Sequence, residues 1–186
     1  MRKKDIGFDL DSTLNTLDID WISMYNIDYN DNLTRKDMIR WEVDTYVKHE
    51  CGKRIYDYLL QPNFFYNLGV QPFANEVTQR LSDFFNLYIV TAYHPKTCFD
   101  KCEWVKKNIP SIPVENVIFC NNKGLIKLDA IIDDGAHNLI AYHENSPSGF
   151  PILIDAPWNQ YVGHRFARAF NLKDVEEILT EWRYGL

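Results

Sequence analysis

Residues 8–15 read FDLDSTLN. Asp9 and Asp11 stand two apart at the close of a short apolar run, DIGFD, residues 5–9. Charge at the end of a buried strand is costly unless something compensates it. A strand ending in acids is therefore either a capped turn or one wall of a site. Four more runs have the same form: LYIVT ending at Thr91, NVIFC ending at Cys120, DAIID ending at Asp133 and FPILID ending at Asp155. All are rich in Val, Ile, Leu or Phe without clean alternation, which suits strands covered on both faces of a parallel sheet.

Between the runs lie helical patterns. Phe73, Val77, Leu81 and Phe84 recur at steps of three and four, as do Cys98, Cys102 and Val105. Near the C-terminus DVEEILTEW predicts a helix capped by Asp174, with Glu177 completing a capping box. Strands alternating with helices predict an α/β fold: a Rossmann-like, mostly parallel five-stranded sheet with helices on both faces. One stretch breaks the rhythm. No strand is predicted between Asp9 and Phe73, where LDIDWISMYN and TRKDMIRWEVDTYV read as amphipathic helices, the second capped by Thr34. A crossover needs only about a dozen residues, so the surplus is an insert. The expected division is a core of residues 1–16 and 74–186 with a helical cap of residues 17–73. An insert at the carboxyl end of a strand covers the place where open α/β sheets bind ligands.

The composition narrows the partners. The chain of 186 residues is 46% hydrophobic, enough for a full core in one domain with a small insert. A net charge of -6 argues against a general binder of nucleic-acid polymers and leaves small molecules as partners. The basic opening MRKKD is followed by an apolar run too short for a signal peptide, and no stretch is long enough to span a membrane. Cys51, Cys98, Cys102 and Cys120 have no zinc or disulfide spacing, and read as reduced packing residues of a cytoplasmic protein. Oligomeric state is left open, with a homodimer as one option.

In a parallel sheet all carboxyl ends face one side. That gathers Asp9, Asp11, Thr91, Lys123, Asp133 and Asp134 into one crevice. Crowded carboxylates resist ionisation; a hard cation such as Mg²⁺, which takes carboxylate, water and phosphate oxygens, resolves the conflict. A lysine and a hydroxyl complement a phosphoryl group, so the crevice reads as a phosphoryl-transfer site.

These residues carry a resemblance. Asp9-Leu10-Asp11-Ser12-Thr13 resembles the DxDx[TV] signature of the haloacid dehalogenase superfamily of phosphatases. Thr91 after LYIV resembles its second motif, Lys123 its third and Asp133-Asp134 after AII its fourth. NFFYNLGVQPFANEV, NKGLIKLDAIIDD and LIDAPWNQ resemble segments of the 5'(3')-deoxyribonucleotidases more closely. The resemblance implies that Asp9 is the nucleophile and a magnesium ligand. Asp11 would be the general acid and base, its backbone carbonyl on the metal. Asp133 would bind the metal directly and Asp134 through water or hydrogen bonds to other ligands. Thr91, the Ala92 backbone N–H, Lys123 and Lys101 would hold phosphate, with Lys101 equally readable as a solvated helix residue. Phe64, Phe65 and Trp41 would line the substrate pocket.

Two positions depart from the pattern. Ala92 stands where these nucleotidases commonly have serine, removing a hydrogen bond worth about 1 kcal/mol. Gly135 stands where arginine is frequent. The implied activity is Mg²⁺-dependent hydrolysis of deoxyribo- or ribonucleoside monophosphates through an aspartyl-phosphate. Another small phosphomonoester, such as a sugar phosphate or phosphoserine, is the alternative substrate. A nucleotide- or metal-binding protein without turnover is the alternative outside enzymes. Base, sugar and 3' or 5' position stay open.

Overall fold

The computed structural model describes residues 2–185. Six strands form one sheet: β1 (Asp5–Phe8), β2 (Asn86–Thr91), β3 (Val117–Phe119), β4 (Ala130–Asp133), β5 (Phe150–Ile154) and β6 (Ala167–Ala169). Their spatial order is β3-β2-β1-β4-β5-β6, and every neighbouring pair is parallel. The five expected strands are present and a sixth is added. β6 reads only Ala-Arg-Ala, and Arg168 at its centre ion-pairs with Asp155 at 2.7 Å. A three-residue edge strand with a charge in the middle carries no apolar run to find.

The strand sequences explain the double cover. Side chains alternate across a strand. Ile6, Phe8, Ile89, Ile132 and Ile152 join one apolar cluster, while Val90, Ile131 and Leu153 join another. The first face is covered by α2 (Ala74–Ser82), α3 (Cys98–Asn108) and α5 (Leu172–Tyr184), through Val77, Leu81, Trp104, Val105, Val175 and Leu179. The second is covered by α4 (Ala136–Asn145), through Leu139 and Tyr142. Gly7 faces this side, where a Cβ would stand 2.7 Å from Leu128 Cδ1 and 3.0 Å from Val90 Cγ2. A larger residue there would push the Leu128 side chain aside.

Three helix expectations change. The buried face of α2 is Ala74, Val77, Thr78 and Leu81. Phe73 precedes that helix at φ +67° and Phe84 follows it, both exposed. In α3 the buried side chains are Lys101, Trp104 and Val105 rather than the two cysteines. α5 is capped by Asn171, not Asp174; the Asn171 side chain accepts from the Lys173 N–H at 2.8 Å, and Asp174 accepts from the Phe170 N–H at 2.7 Å. The cap thus lies three residues earlier than the apolar pattern suggests.

Residues 17–73 hold α1 (Leu17–Tyr29) and then only 3-10 turns. α1 buries Trp21, Ile22 and Tyr25. The expected second helix, from Thr34, is instead two short turns at Arg35–Asp37 and Val43–Thr45. The Thr34 N–H and hydroxyl both donate to Asp37, at 2.8 and 2.6 Å. Such local bonds compete with a continuing helix, and Met38 is drawn into a cluster with Ile22, Ala156 and Trp158. The 3-10 stretch Gly52–Leu60 places Ile55 and Tyr58 three apart on one buried side, as its three-residue turn requires. The outgoing and returning chains meet side by side: the Thr16 N–H donates to Gly69 O at 3.1 Å and the Gln71 N–H to Leu14 O at 2.9 Å.

Candidate active site

The strand order reverses between β1 and β4, the crevice where such sheets bind ligands. Asp9 follows β1, Asp133 ends β4 and Asp134 follows it, so the acids flank this switch point. The Asp9 N–H donates to Ile132 O at 2.7 Å, carrying the sheet ladder into the site. Asp9, Asp133, Asp134, Lys101, Lys123 and Thr91 are each at most 6% exposed. At that depth an unpaired charge is expensive, so the partners of each oxygen matter.

Lys123 is shared: its Nζ lies 2.7 Å from Asp9 Oδ1 and 2.6 Å from Asp133 Oδ2. Asp133 is saturated. Its Oδ1 accepts from the Gly135 N–H at 2.8 Å and from Asn138 Nδ2 at 3.0 Å. Asp134 is not. Its Oδ2 accepts from the Trp158 indole N–H at 3.1 Å, while its buried Oδ1 has no partner. Asp9, Asp133 and Asp134 each offer a carboxylate oxygen, all within 4.8 Å of one another. Burial pushes the Asp9 carboxyl up to about 7, against the pull of Lys123 and with help from Asp133 and Asp11. Burial, then Asp9 and Asp133, push Asp134 well above the usual carboxylate range. For Lys123, burial opposes the ammonium, but the two aspartates outweigh it and raise its pKa. This donor set fits a hard cation: of three buried carboxylates only two share the ammonium, and the buried Asp134 Oδ1 is left unbonded.

A second group stands beside it. Lys101 Nζ lies 2.5 Å from Asp11 Oδ2, 3.0 Å from Thr91 Oγ1 and 2.9 Å from Ala92 O. Its ammonium sits 4.6 Å from the centre of the Phe65 ring. Lys101 is thus a buried ion-pair partner and not a residue of a solvated face. Asp11 Oδ1 accepts from Asn15 Nδ2 at 3.0 Å. The DxD pair is thereby divided, Asp9 to Lys123 and Asp11 to Lys101.

Above both groups opens a cavity of about 390 Å³. Asp9, Asp11, Ala92 and Lys123 form its floor, and Trp21, Trp41, Tyr56, Leu59 and Trp158 line its apolar side. Trp41 lines it. Phe64 and Phe65 do not: they pack edge to face at 5.3 Å within the main core, and Phe65 reaches the site only as the ring beneath Lys101. The residues missed by sequence reasoning are Trp158, Asn138, Tyr56 and Asp18. Trp158 stands within a quoted stretch, yet no local pattern marks its N–H as the partner of a residue 24 positions away.

The family described as 5' nucleotidase, deoxy (pyrimidine), cytosolic type C matches residues 3–183. The chain is 49% identical over 169 residues to a 5'(3')-deoxyribonucleotidase of Clostridium acetobutylicum, covering 91% of each chain. It is 35% identical over 179 residues to a 5'(3')-deoxyribonucleotidase of Bacillus subtilis, covering 95% of this chain and 99% of that one. Solved structures share the fold at low identity. A haloacid dehalogenase-like hydrolase from Streptococcus pneumoniae superposes with a TM-score of 0.66 at 14% identity, covering 95% of this chain and 98% of the other. A related hydrolase of Bacillus subtilis bound to magnesium superposes with a TM-score of 0.62 at 13% identity, covering 96% and 99%. The chain therefore belongs to the 5' nucleotidase, deoxy (pyrimidine), cytosolic type C family, a group of phosphomonoester hydrolases built on the haloacid dehalogenase fold.

Proposed function

We propose that this chain hydrolyses deoxyribo- or ribonucleoside monophosphates to nucleoside and phosphate, with Mg²⁺, as a 5'(3')-deoxyribonucleotidase. The observation that carries the reading is the divided pair: Asp9 held by Lys123 beside a carboxylate with a free oxygen, and Asp11 held by Lys101 beside Thr91. One acid is poised as nucleophile and the other as proton carrier. The names of the relatives, 5'(3')-deoxyribonucleotidases, supply the substrate class.

In this reading Asp9, Asp134 and the backbone carbonyl of Asp11 hold the cation. Asp134 is preferred to Asp133, because both Asp133 oxygens are already bonded while Asp134 Oδ1 is free. The bound ion neutralises phosphate and carboxylate charge. The chain's own residues do the rest. Lys101, Thr91 and the Ala92 N–H receive phosphate oxygens, and the incoming anion takes the Lys101 ammonium from Asp11. An Asp9 carboxylate oxygen attacks phosphorus; the bond to the leaving nucleoside oxygen breaks as that oxygen takes a proton from Asp11. Water then attacks the aspartyl-phosphate, giving its proton to Asp11 as the Asp9–phosphorus bond breaks. Residues 17–73 act as a cap that excludes bulk water during these steps. Its aromatic side chains lining the cavity, Trp21, Trp41 and Tyr56, favour a nucleoside over a bare sugar phosphate.

The test is phosphate release from a panel of deoxyribo- and ribonucleoside monophosphates and sugar phosphates, with Mg²⁺ and with chelator. Release from nucleotides, lost on chelation, is expected. Release from sugar phosphates alone would discard the substrate claim.

A further inference from the structure

Trp158 has no role in the chemistry above, yet it touches the site from two directions. It lies in the turn Pro157–Val162 after β5 and is 6% exposed. Its indole N–H donates to Asp134 Oδ2 at 3.1 Å. The next residue, fully buried Asn159, donates to the Asp134 backbone oxygen at 2.8 Å and to Ile154 O at 2.7 Å. Two adjacent residues thus grip Asp134 by side chain and main chain, and leave Oδ1 as its one unbonded oxygen. Indole offers a donor and no acceptor, so Oδ2 is held as the accepting oxygen and Oδ1 is the one left without a donor.

The Trp158 ring is also where residues 17–73 come down on the core. The Arg35 guanidinium sits 5.1 Å from the ring centre, and Trp41 meets it edge-on at 6.4 Å. Arg35 is itself ion-paired with buried Asp18 of α1. Ile22 and Met38 complete the same apolar cluster. A contact chain therefore runs from α1 through Asp18, Arg35 and Trp158 to Asp134.

We infer that Trp158 is a positioning residue: its N–H sets the Asp134 carboxylate so that Oδ1 is offered to the cation, and Arg35 on its ring ties that setting to the seating of the cap. The inference rests on the reading of Asp134 as a magnesium ligand. Groups that orient a metal ligand typically govern 10–100-fold in affinity.

The test uses Mg²⁺ itself, titrated calorimetrically into the wild-type chain, Trp158→Phe and Asp134→Asn. Phenylalanine keeps most of the packing and removes the N–H. Trp158→Phe is expected to bind Mg²⁺ about 10-fold more weakly, with the Mg²⁺ midpoint for phosphate release shifted alike and kcat restored at saturating Mg²⁺. Wild-type affinity in Trp158→Phe, with Asp134→Asn deficient, would overturn the inference alone. Activity that raised Mg²⁺ does not restore would mark a packing role and overturn it too. Wild-type binding in Asp134→Asn would overturn the reading of Asp134 itself, and the inference with it. Should Trp158→Phe fail to fold, Arg35→Gln probes the same chain from the cap side: weakened Mg²⁺ binding supports it, and unchanged binding removes the cap from it.

Discussion

The floor and the roof of the cavity are built differently. The floor is set on strand ends: Asp9 follows β1 and donates its N–H to Ile132 O, Asp134 follows β4, and both are almost wholly buried. The roof comes from α1 and short 3-10 turns, and Trp41, between two of those turns, is 51% exposed. Floor residues are fixed by the sheet and by paired charge, whereas the roof is held by side-chain packing and by local bonds such as that of Thr34 to Asp37. The difference suits a division of labour, with chemistry on the rigid part and substrate contact on the part with fewer anchors.

The sharpest way to break that comparison is at the floor. Asp9→Asn keeps the shape and removes the nucleophile; phosphate release should fall on the order of 10⁴-fold or more, with the melting temperature retained. Near-normal turnover would end the covalent mechanism.

The next effect is on stability. Lys123→Met leaves Asp9 and Asp133 without their shared ammonium, and breaking such a buried pair costs about 3–5 kcal/mol. The sign with pH follows from Asp9. Its carboxyl already lies at about 7 in the fold, and Lys123 is the group that pulls it down. A carboxyl raised above its unfolded value contributes stability in the acid range and loses it as pH rises through the folded pKa. The variant should therefore approach wild type near pH 4 and fall furthest behind above pH 7, read by urea unfolding of the metal-free proteins. A gap that shrinks on going alkaline would contradict the burial argument.

The smallest structural effect belongs to the roof. Trp41→Ala removes a half-exposed ring resting on His137 at 4.7 Å and on Trp158. Its unfolding free energy should change by about 0.5 kcal/mol or less, while KM for nucleotides rises and kcat for small phosphoesters holds. A large loss of stability would show that roof and floor are one unit.

Much of this was legible in the linear chain because it depends on neighbours in sequence. The apolar runs mark five strands, and the acids at their ends mark the crevice, since a parallel sheet brings all carboxyl ends together. Asp9, Asp11, Thr91, Lys123, Asp133 and Asp134 fall together on that ground. Short and charged elements were not legible: β6 has no apolar pattern, and Thr34 with Asp37 reads equally as a helix start or as a closed turn.

The order of residues along the chain sets the chemistry available: which strand ends carry carboxylates, a hydroxyl and an ammonium. How those groups are shared depends on packing across the whole molecule. That packing paired Lys123 with Asp9 and Asp133, paired Lys101 with Asp11, sent Phe64 and Phe65 into the core, and left the free oxygen on Asp134 rather than Asp133. The physical reason is range. Residue type and strand register are local, but the partner of a buried charge comes from wherever packing brings a donor, as Trp158 is brought to Asp134 across 24 positions.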